Sequence, residues 1–459
     1  MIECVRKTEP KPNGKIRSHI FSNGLRLIYE PPYTNIPITT IYAYCNVGSV
    51  NESNNLRGAS HFIEHCIFKG TKKLTNLEIF NNYDNAGASL NAFTERRVTY
   101  YFVKMDAKNT EICIQTLGDM MLYSTFPSSE FVKEEKVVIE ENLIATDNAE
   151  ITISDLYNSI MYAGSSYEHP IDDISFHKRP FCRKDVIDYY HKFYRPNQIV
   201  LSIVSTLSFQ KIVKMIEHSP FSKYKPLSMP IPDKYAIQFC SPRPQSGIIY
   251  KVLKKSNIET LHLTISFRTC SFFSHDKYIF ELLQHIMSET FGNMLSVLLR
   301  ENNGLTYTSS TINQNIETTG DFTIYAQLNK TKLLRNGIHN LGVLPLIISL
   351  LNDLVQHGVP NKTFKTAKTN MRGQMMLDTE KSNIQASRNG LEWLLRSKID
   401  AVIPYQDLYE STIAPITQKD LHHVIRHYFK KSSMVVCLVG DKFPSMKLIE
   451  HECEKFIPL

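Results

Sequence analysis

Five consecutive residues, His61-Phe62-Ile63-Glu64-His65, carry the most specific chemistry in this sequence. Residues four apart lie on one face of a helix, so both imidazoles can reach a single metal ion. Glu64 stands one position before His65 and three after His61. It flanks the metal face, where it can take a proton from a metal-held water. HxxEH is the reverse of the commoner HExxH helix and serves the same geometry. A tetrahedral catalytic zinc wants three protein ligands and a water, often two histidines and a carboxylate. The third ligand must come from elsewhere in the chain.

The stretch 129–147 reads as a long helix opened by Ser129, with Glu130 in its first turn. With its downstream flank it offers Glu134, Glu135, Glu140, Glu141 and Glu150. Glu134 and Glu141 are two turns apart and share a face, so one could bind the metal while the other orients a ligand or the water. Spacing alone does not choose among the five.

Other arrangements are less specific. His285 and Glu289 resemble half a metal motif but lack a second histidine at the right spacing, and they read as an ordinary helix face. His423 and His427, four apart, read as a solvated or partly buried pair. Trp393, the only tryptophan, reads as core.

The elements that must hold these residues follow from periodicity. Segments 25–30, 39–47 and 99–105 are rich in β-branched and aromatic residues and read as strands. Segments 76–83 and 109–122 read as amphipathic helices, the second opened by Asn109 as N-cap. A helix at 185–194 followed by an apolar strand at 199–204 closes the first half. The same pair recurs 235 residues later, at 420–429 and 434–439. Self-similarity of this kind points to a duplicated unit. At 459 residues the chain is in any case too long for one ordinary core. The expected division is a domain over 1–218, a Pro- and Ser-rich linker over 219–245, and a second domain over 246–459.

Composition excludes several classes. Hydrophobic content of 42% with 21% charged residues is that of a soluble globular protein. No apolar run approaches the ~20 residues of a membrane span. The net charge of +7 is spread along the chain without an aromatic-and-basic signature, so nucleic acid is not an expected partner. Nine scattered cysteines without a CxxC pair imply neither a disulfide framework nor a cysteine zinc knuckle. The N-terminus has no apolar signal core, and Glu3 and Glu9 interrupt its basic residues. The expected address is cytoplasmic, or the mitochondrial matrix if a presequence is processed away.

The residues around the motif resemble the pitrilysin/insulinase family of inverted-motif zinc peptidases. The resemblance runs through Ser22-Asn-Gly-Leu-Arg-Leu, Gly48-Ser49, Glu52 and Gly58-Ala-Ser-His61-Phe-Ile-Glu64-His65-Cys-Ile-Phe-Lys-Gly70-Thr71. It continues in Asn85-Ala-Gly-Ala-Ser-Leu-Asn91-Ala92-Phe93-Thr94, in Val137-Val-Ile-Glu-Glu141-Asn, and in the segment from Phe291 through Arg300 to Tyr307. Family spacing from the second histidine implies Glu141 as third ligand and Glu134 as auxiliary catalytic glutamate.

The resemblance further implies an α+β fold of two homologous domains, each a mostly antiparallel sheet packed with helices (LuxS/metallopeptidase-like). The first domain would be catalytic, with one Zn2+ per chain. The second would be non-catalytic and substrate-holding. An extended peptide would bind beside Asn91 and Ala92, with Arg300 and Tyr307 holding its backbone. Because the family's chamber is built from two such units, a homodimer or a heterodimer with a related chain is expected. The competing expectation is a catalytically silent scaffold or partner subunit, but such chains usually lose part of the motif. Ser60, Cys66, Arg97 and Ser205 depart from the family pattern without removing a ligand.

Overall fold

The computed structural model describes residues 16–172, 181–224, 236–239, 245–334 and 341–458. Much of the expected linker, residues 225–235 and 240–244, lies outside the described residues. The fold is α+β and contains two sheets. The first has six strands: β1 (Arg17–Ile20), β2 (Arg26–Glu30), β3 (Ile38–Cys45), β4 (Ser89–Thr94), β5 (Thr99–Asp106) and β6 (Ile199–Ser205). Their spatial order is β1-β2-β6-β3-β5-β4. The second has five: β7 (Ile249–Lys254), β8 (Thr260–Thr269), β9 (Thr306–Asn315), β10 (Gly320–Asn329) and β11 (Met434–Gly440), in the order β7-β11-β8-β10-β9.

With β1 set aside, both sheets have the same topology. Each runs first-fifth-second-fourth-third in chain order, and only the first and fifth strands pair in parallel. The remaining pairs, such as β3 with β5 and β8 with β10, are antiparallel. The echo between the two halves of the sequence thus extends to the whole strand plan.

Packing divides the described residues into two compact units. One comprises Met1–Asn142, Pro170–Ile237 and Met375–Leu408; the other comprises Leu143–His169, Gln238–Gln374 and Tyr409–Leu459. Each unit therefore includes a segment from the other half of the sequence. In the first, helix Ser382–Arg396 packs on β3 and β6. In the second, helix Ala149–Met161 packs on β8 and β11.

These helices explain the residue choice in the central strands. Every residue of β6 (Ile-Val-Leu-Ser-Ile-Val-Ser) and of β11 (Met-Val-Val-Cys-Leu-Val-Gly) is buried, as expected for strands covered on both faces. In the first unit one face carries the large core around Leu27, Ile41, Phe62, Tyr101 and Leu201. The other face meets Trp393, only 3% exposed, beside Ile28, Tyr44 and Val200. Tyr44 donates to the Ser387 carbonyl at 2.9 Å. A Cβ at Gly390 would lie 2.6 Å from the Tyr44 ring, so the helix can come this close only with glycine there.

Among the described residues no single helix is long and apolar enough to cross a membrane. Helix Thr110–Tyr123 starts after Asn109 as expected, but that side chain does not cap it. Asn109 Nδ2 instead donates to the Ala86 carbonyl at 3.0 Å, fastening the end of helix Asn76–Asn85.

Candidate metal centre

The HxxEH residues lie on helix Ala59–Ile67. It begins at Gly58, whose φ of 81° lies in the left-handed region that glycine adopts without strain. Gly58 has no side chain to cap the helix, and Glu52 does so from upstream. Glu52 Oε2 accepts the Gly58 N–H and Oε1 accepts the Ser60 N–H, both at 2.7 Å. This satisfies donors that a helix start leaves unpaired and sets a carboxylate at the positive end of the helix. Burial pushes the Glu52 carboxyl up to about 8, against the pull of these N–H groups and of Arg57. Phe62, Ile63, Cys66 and Ile67 are fully buried, and this apolar face leaves His61 and His65 on the accessible side.

The acidic helix, Ser128–Asp147, buries Phe131, Glu134, Val138 and Asn142. Phe131 meets Phe62 edge-to-face, with centroids 4.7 Å apart at 87°. Phe62 also stacks on Phe181 at 5.1 Å and 24°. Aromatic contacts of this kind contribute about 0.5–1.5 kcal/mol each beyond their buried area. Phe62 adjoins His61, and Phe131 lies one turn before Glu134. Their contact therefore sets which carboxylates of the acidic helix stand over the imidazoles.

Three donor atoms converge there. His61 Nε2 and His65 Nε2 are 3.2 Å apart, and Glu141 Oε2 lies 3.8 Å from the first and 3.3 Å from the second. Donors about 2.0–2.2 Å from one tetrahedral ion stand roughly 3.3–3.6 Å from each other, so the triangle has the size of one face of such a site. On the far side of each ring lies a carboxylate: Asp172 Oδ1 at 2.7 Å from His61 Nδ1, and Glu134 Oε2 at 3.2 Å from His65 Nδ1. These partners favour protons on the Nδ1 atoms and turn the Nε2 lone pairs toward Glu141. With both rings neutral and protonated on Nδ1, two lone pairs and a carboxylate oxygen face one another, an arrangement that a cation resolves. Burial alone would lower the His61 pKa, but Asp172, with Glu64 and Glu141 nearby, lifts it to about 8. Lys69 Nζ sits 2.7 Å from the other oxygen of Glu134 and balances that mostly buried carboxylate.

The insulinase (peptidase family M16) description matches residues 33–173, which contain the entire cluster, and the peptidase M16 inactive domain matches residues 180–371. The chain belongs to the M16 family. Relatives include the zinc protease YmxG of Bacillus subtilis, whose function is uncharacterized; it is 27% identical over 83% of this chain and 89% of that one. The beta subunit of the mitochondrial processing peptidase of Bos taurus is 28% identical over 42% of this chain and 39% of that one. The crystal structure of a Helicobacter pylori protease superposes with a TM-score of 0.83 at 21% identity, covering 94% of this chain and all of that one. The periplasmic protease PqqL of Escherichia coli gives a TM-score of 0.78 at 14% identity; 97% of this chain covers 50% of that one. Likeness at these identities shows the fold.

Within this M16 chain, Glu64 flanks the donor triangle and is only 8% exposed. Its Oε2 accepts the Thr94 hydroxyl at 2.6 Å, at the end of β4. Burial raises the Glu64 carboxyl above the ordinary range, while Thr94 and the two histidines draw it back. β4 is the last strand of its sheet, and among the described residues nothing pairs with its outer side. Asn91 is exposed and its Oδ1 accepts the Ala92 N–H at 2.9 Å. Between β4 and the helices lies a cavity of about 290 Å³. Glu64, Lys69 and Glu134 give its lining charge, and Phe68, Phe80, Leu90 and Ala92 make the rest apolar; His65 and Asn91 complete it.

Thus His61, Glu64, His65, Glu134, Glu141, Asn91 and Ala92 are brought together in the first unit. Arg300, in the helical turn Ser296–Glu301, and Tyr307, on β9, are exposed and belong to the second unit. His285 Nδ1 pairs with Glu289 Oε2 at 3.0 Å, and the His423 and His427 rings lie 6.3 Å apart. Among the described residues, groups of three donors able to hold a metal reduce to His61, His65 and Glu141. Sequence reasoning missed Asp172, the contacts of Lys69 and Thr94, and the cap made by Glu52. Of these only the cap had a local signal, a carboxylate shortly upstream of a helix start.

Proposed function

We propose that this chain is a zinc-dependent endopeptidase acting on extended or unfolded peptides. The observation that carries the proposal is the convergence of His61 Nε2, His65 Nε2 and Glu141 Oε2 beside the Glu64 carboxylate. His61, His65 and Glu141 would hold one Zn2+. When bound, zinc supplies Lewis acidity, which acidifies water and polarises a carbonyl. Glu64 takes the proton of the attacking water and returns it to the nitrogen of the leaving amine. Thr94 holds that carboxylate toward the donor triangle. Glu134 and Lys69 keep the His65 ring turned so that its Nε2 faces the donor triangle.

The open edge of β4 supports an extended substrate, because a peptide adding as a further strand gains backbone hydrogen bonds without regard to sequence. The Ala92 N–H must first release Asn91 Oδ1. Arg300 and Tyr307, exposed in the second unit, would hold the substrate backbone. A partner chain, a second copy or a relative, would complete the substrate chamber. A beta-subunit relative and the fit to half of PqqL support that pairing.

A silent scaffold is the competing reading. The complete donor set with its base speaks against it. Metal content of the purified chain and cleavage of a mixed peptide library by wild type and Glu64→Gln decide between them. The expected result is one zinc in both proteins and cleavage by wild type alone. Equal cleavage by Glu64→Gln, or none by zinc-loaded wild type, would overturn the enzymatic reading.

A further inference from the structure

Asp172 lies 111 residues from His61 in sequence, yet its Oδ1 is 2.7 Å from His61 Nδ1. Both atoms are buried, and neither has another hydrogen-bond partner among the described residues. At 2.7 Å the carboxylate oxygen and the ring nitrogen form a close pair. On the other ring Glu134 stands in the matching place, 3.2 Å from His65 Nδ1. The cluster is therefore symmetric, with each imidazole directing Nε2 at the donor triangle and Nδ1 at a carboxylate. The two carboxylates differ in origin. Glu134 comes from the acidic helix that also provides Glu141, and Lys69 balances its charge. Asp172 follows Pro170, where the chain re-enters the first unit after the segment Leu143–His169 has packed into the second. That excursion starts two residues after Glu141 and ends three before Asp172.

We infer that Asp172 is a positioning residue for His61: its carboxylate fixes the Nδ1–H tautomer and the ring orientation, and so sets the strength of the metal site. The inference rests on the zinc reading of the cluster. A carboxylate on the far nitrogen of a metal-bound imidazole raises the basicity of the ligating nitrogen, and its removal typically lowers metal affinity about 10–100-fold. The close contact of Asp172 is with His61 Nδ1, on the side of the ring away from the donor triangle, so its effect is read in metal affinity and in the state of the ring. Asn at 172 keeps an acceptor oxygen but no charge, whereas Ala keeps neither. The affinities should therefore rank wild type, Asp172→Asn, Asp172→Ala.

The test is zinc affinity measured against a competing chelator for wild type, both variants and His61→Ala, with circular dichroism as a check on folding. Nitrogen-15 spectra of the zinc-loaded protein report the His61 tautomer. The expected result is a loss of about tenfold for Asn and more for Ala, with unchanged dichroism, and a His61 Nδ1–H signal that weakens or exchanges faster in the variants. Affinity within twofold of wild type in both folded variants would overturn the inference while leaving the zinc site intact. Zinc retained undiminished by His61→Ala would instead overturn the ligand assignment, and the role of Asp172 with it. The Asp172 side chain is partly exposed, so both variants should fold, and dichroism detects any that do not.

Discussion

The Thr94 hydroxyl donates to Glu64 Oε2 at 2.6 Å, joining the last residue of the open-edge strand β4 to the carboxylate that flanks both imidazoles. The proposed base and the proposed substrate strand are thus one mechanical piece. Burial raises the Glu64 pKa and Thr94 opposes it. Replacing Thr94 with Val removes a donor that favours the charged form, so the carboxyl shifts further upward. The base must be ionised to act. The acid limb of the kcat/KM profile should therefore move to higher pH in Thr94→Val. The loss should be greater at pH 6 than at pH 8, on the order of tenfold at the acid end. A profile that falls uniformly without moving would show that Thr94 does not tune the base.

Glu52 gives a second prediction, this time in stability. Its carboxylate takes two N–H groups at the start of the HxxEH helix, and Glu52→Ala leaves both without that partner. The expected cost is about 2 kcal/mol in denaturant unfolding, within the range for a lost cap and an unsatisfied buried donor. The pH dependence has a definite sign. The folded carboxyl is pushed up to about 8, above the ordinary value of 4.5, so the folded state holds more protons between those values. This group's contribution is complete below pH 4.5 and is lost as the pH rises to 8. Glu52→Gln should flatten that part of the stability profile. An unchanged slope would mean that the N–H groups keep Glu52 ionised throughout.

What the sequence made legible follows from how local each signal is. The two histidines and Glu64 share two turns of one helix, so their relation is fixed by helical geometry alone. Glu134 and Glu141 were visible as a shared face, but their match to the imidazoles depends on Phe62 meeting Phe131 across two helices. No spacing rule contains that contact, and family spacing stood in for it. Asp172 had no signal, because the chain first makes an excursion into the other unit. The strand plan was readable in part. Alternation in β5 and the apolar run of β6 mark them as strands, but the parallel pairing of β2 with β6 joins residues about 170 apart in sequence. The exchange of helices Ser382–Arg396 and Ala149–Met161 between units was likewise hidden. An amphipathic helix shows that it has an apolar face, not which sheet will cover it.

Lys69 supplies a third prediction. Its ammonium lies 2.7 Å from Glu134 Oε1, and the other oxygen of that carboxylate faces His65 Nδ1. Lys69→Met keeps much of the stem but leaves Glu134 mostly buried without its cation. Removing one partner of such a pair is destabilising, here by about 2 kcal/mol given partial exposure. Zinc affinity should fall severalfold as the His65 ring loses a fixed acceptor. Lys69→Arg, which keeps the charge, should recover most of both. If Met and Arg behaved alike, the charge of Lys69 would not matter to the site.

The last prediction concerns whether one chain suffices. Arg300 and Tyr307 are exposed in the second unit, whereas the donor triangle lies in the first. If a homodimer shares these groups between chains, Glu64→Gln and Arg300→Ala should each be nearly inactive alone yet complement when mixed. In a mixed dimer the Arg300→Ala chain contributes an intact base, and the Glu64→Gln chain contributes an intact Arg300 to that same site. Statistical exchange at equal amounts makes half of the dimers mixed, each with one working site in two, or about a quarter of wild-type activity. Recovery requires exchange of subunits, so it should grow with incubation time and vanish on covalent cross-linking of each variant beforehand. Failure to recover after exchange is demonstrated with labelled chains would mean that each chain uses its own Arg300, and the shared chamber would have to be abandoned.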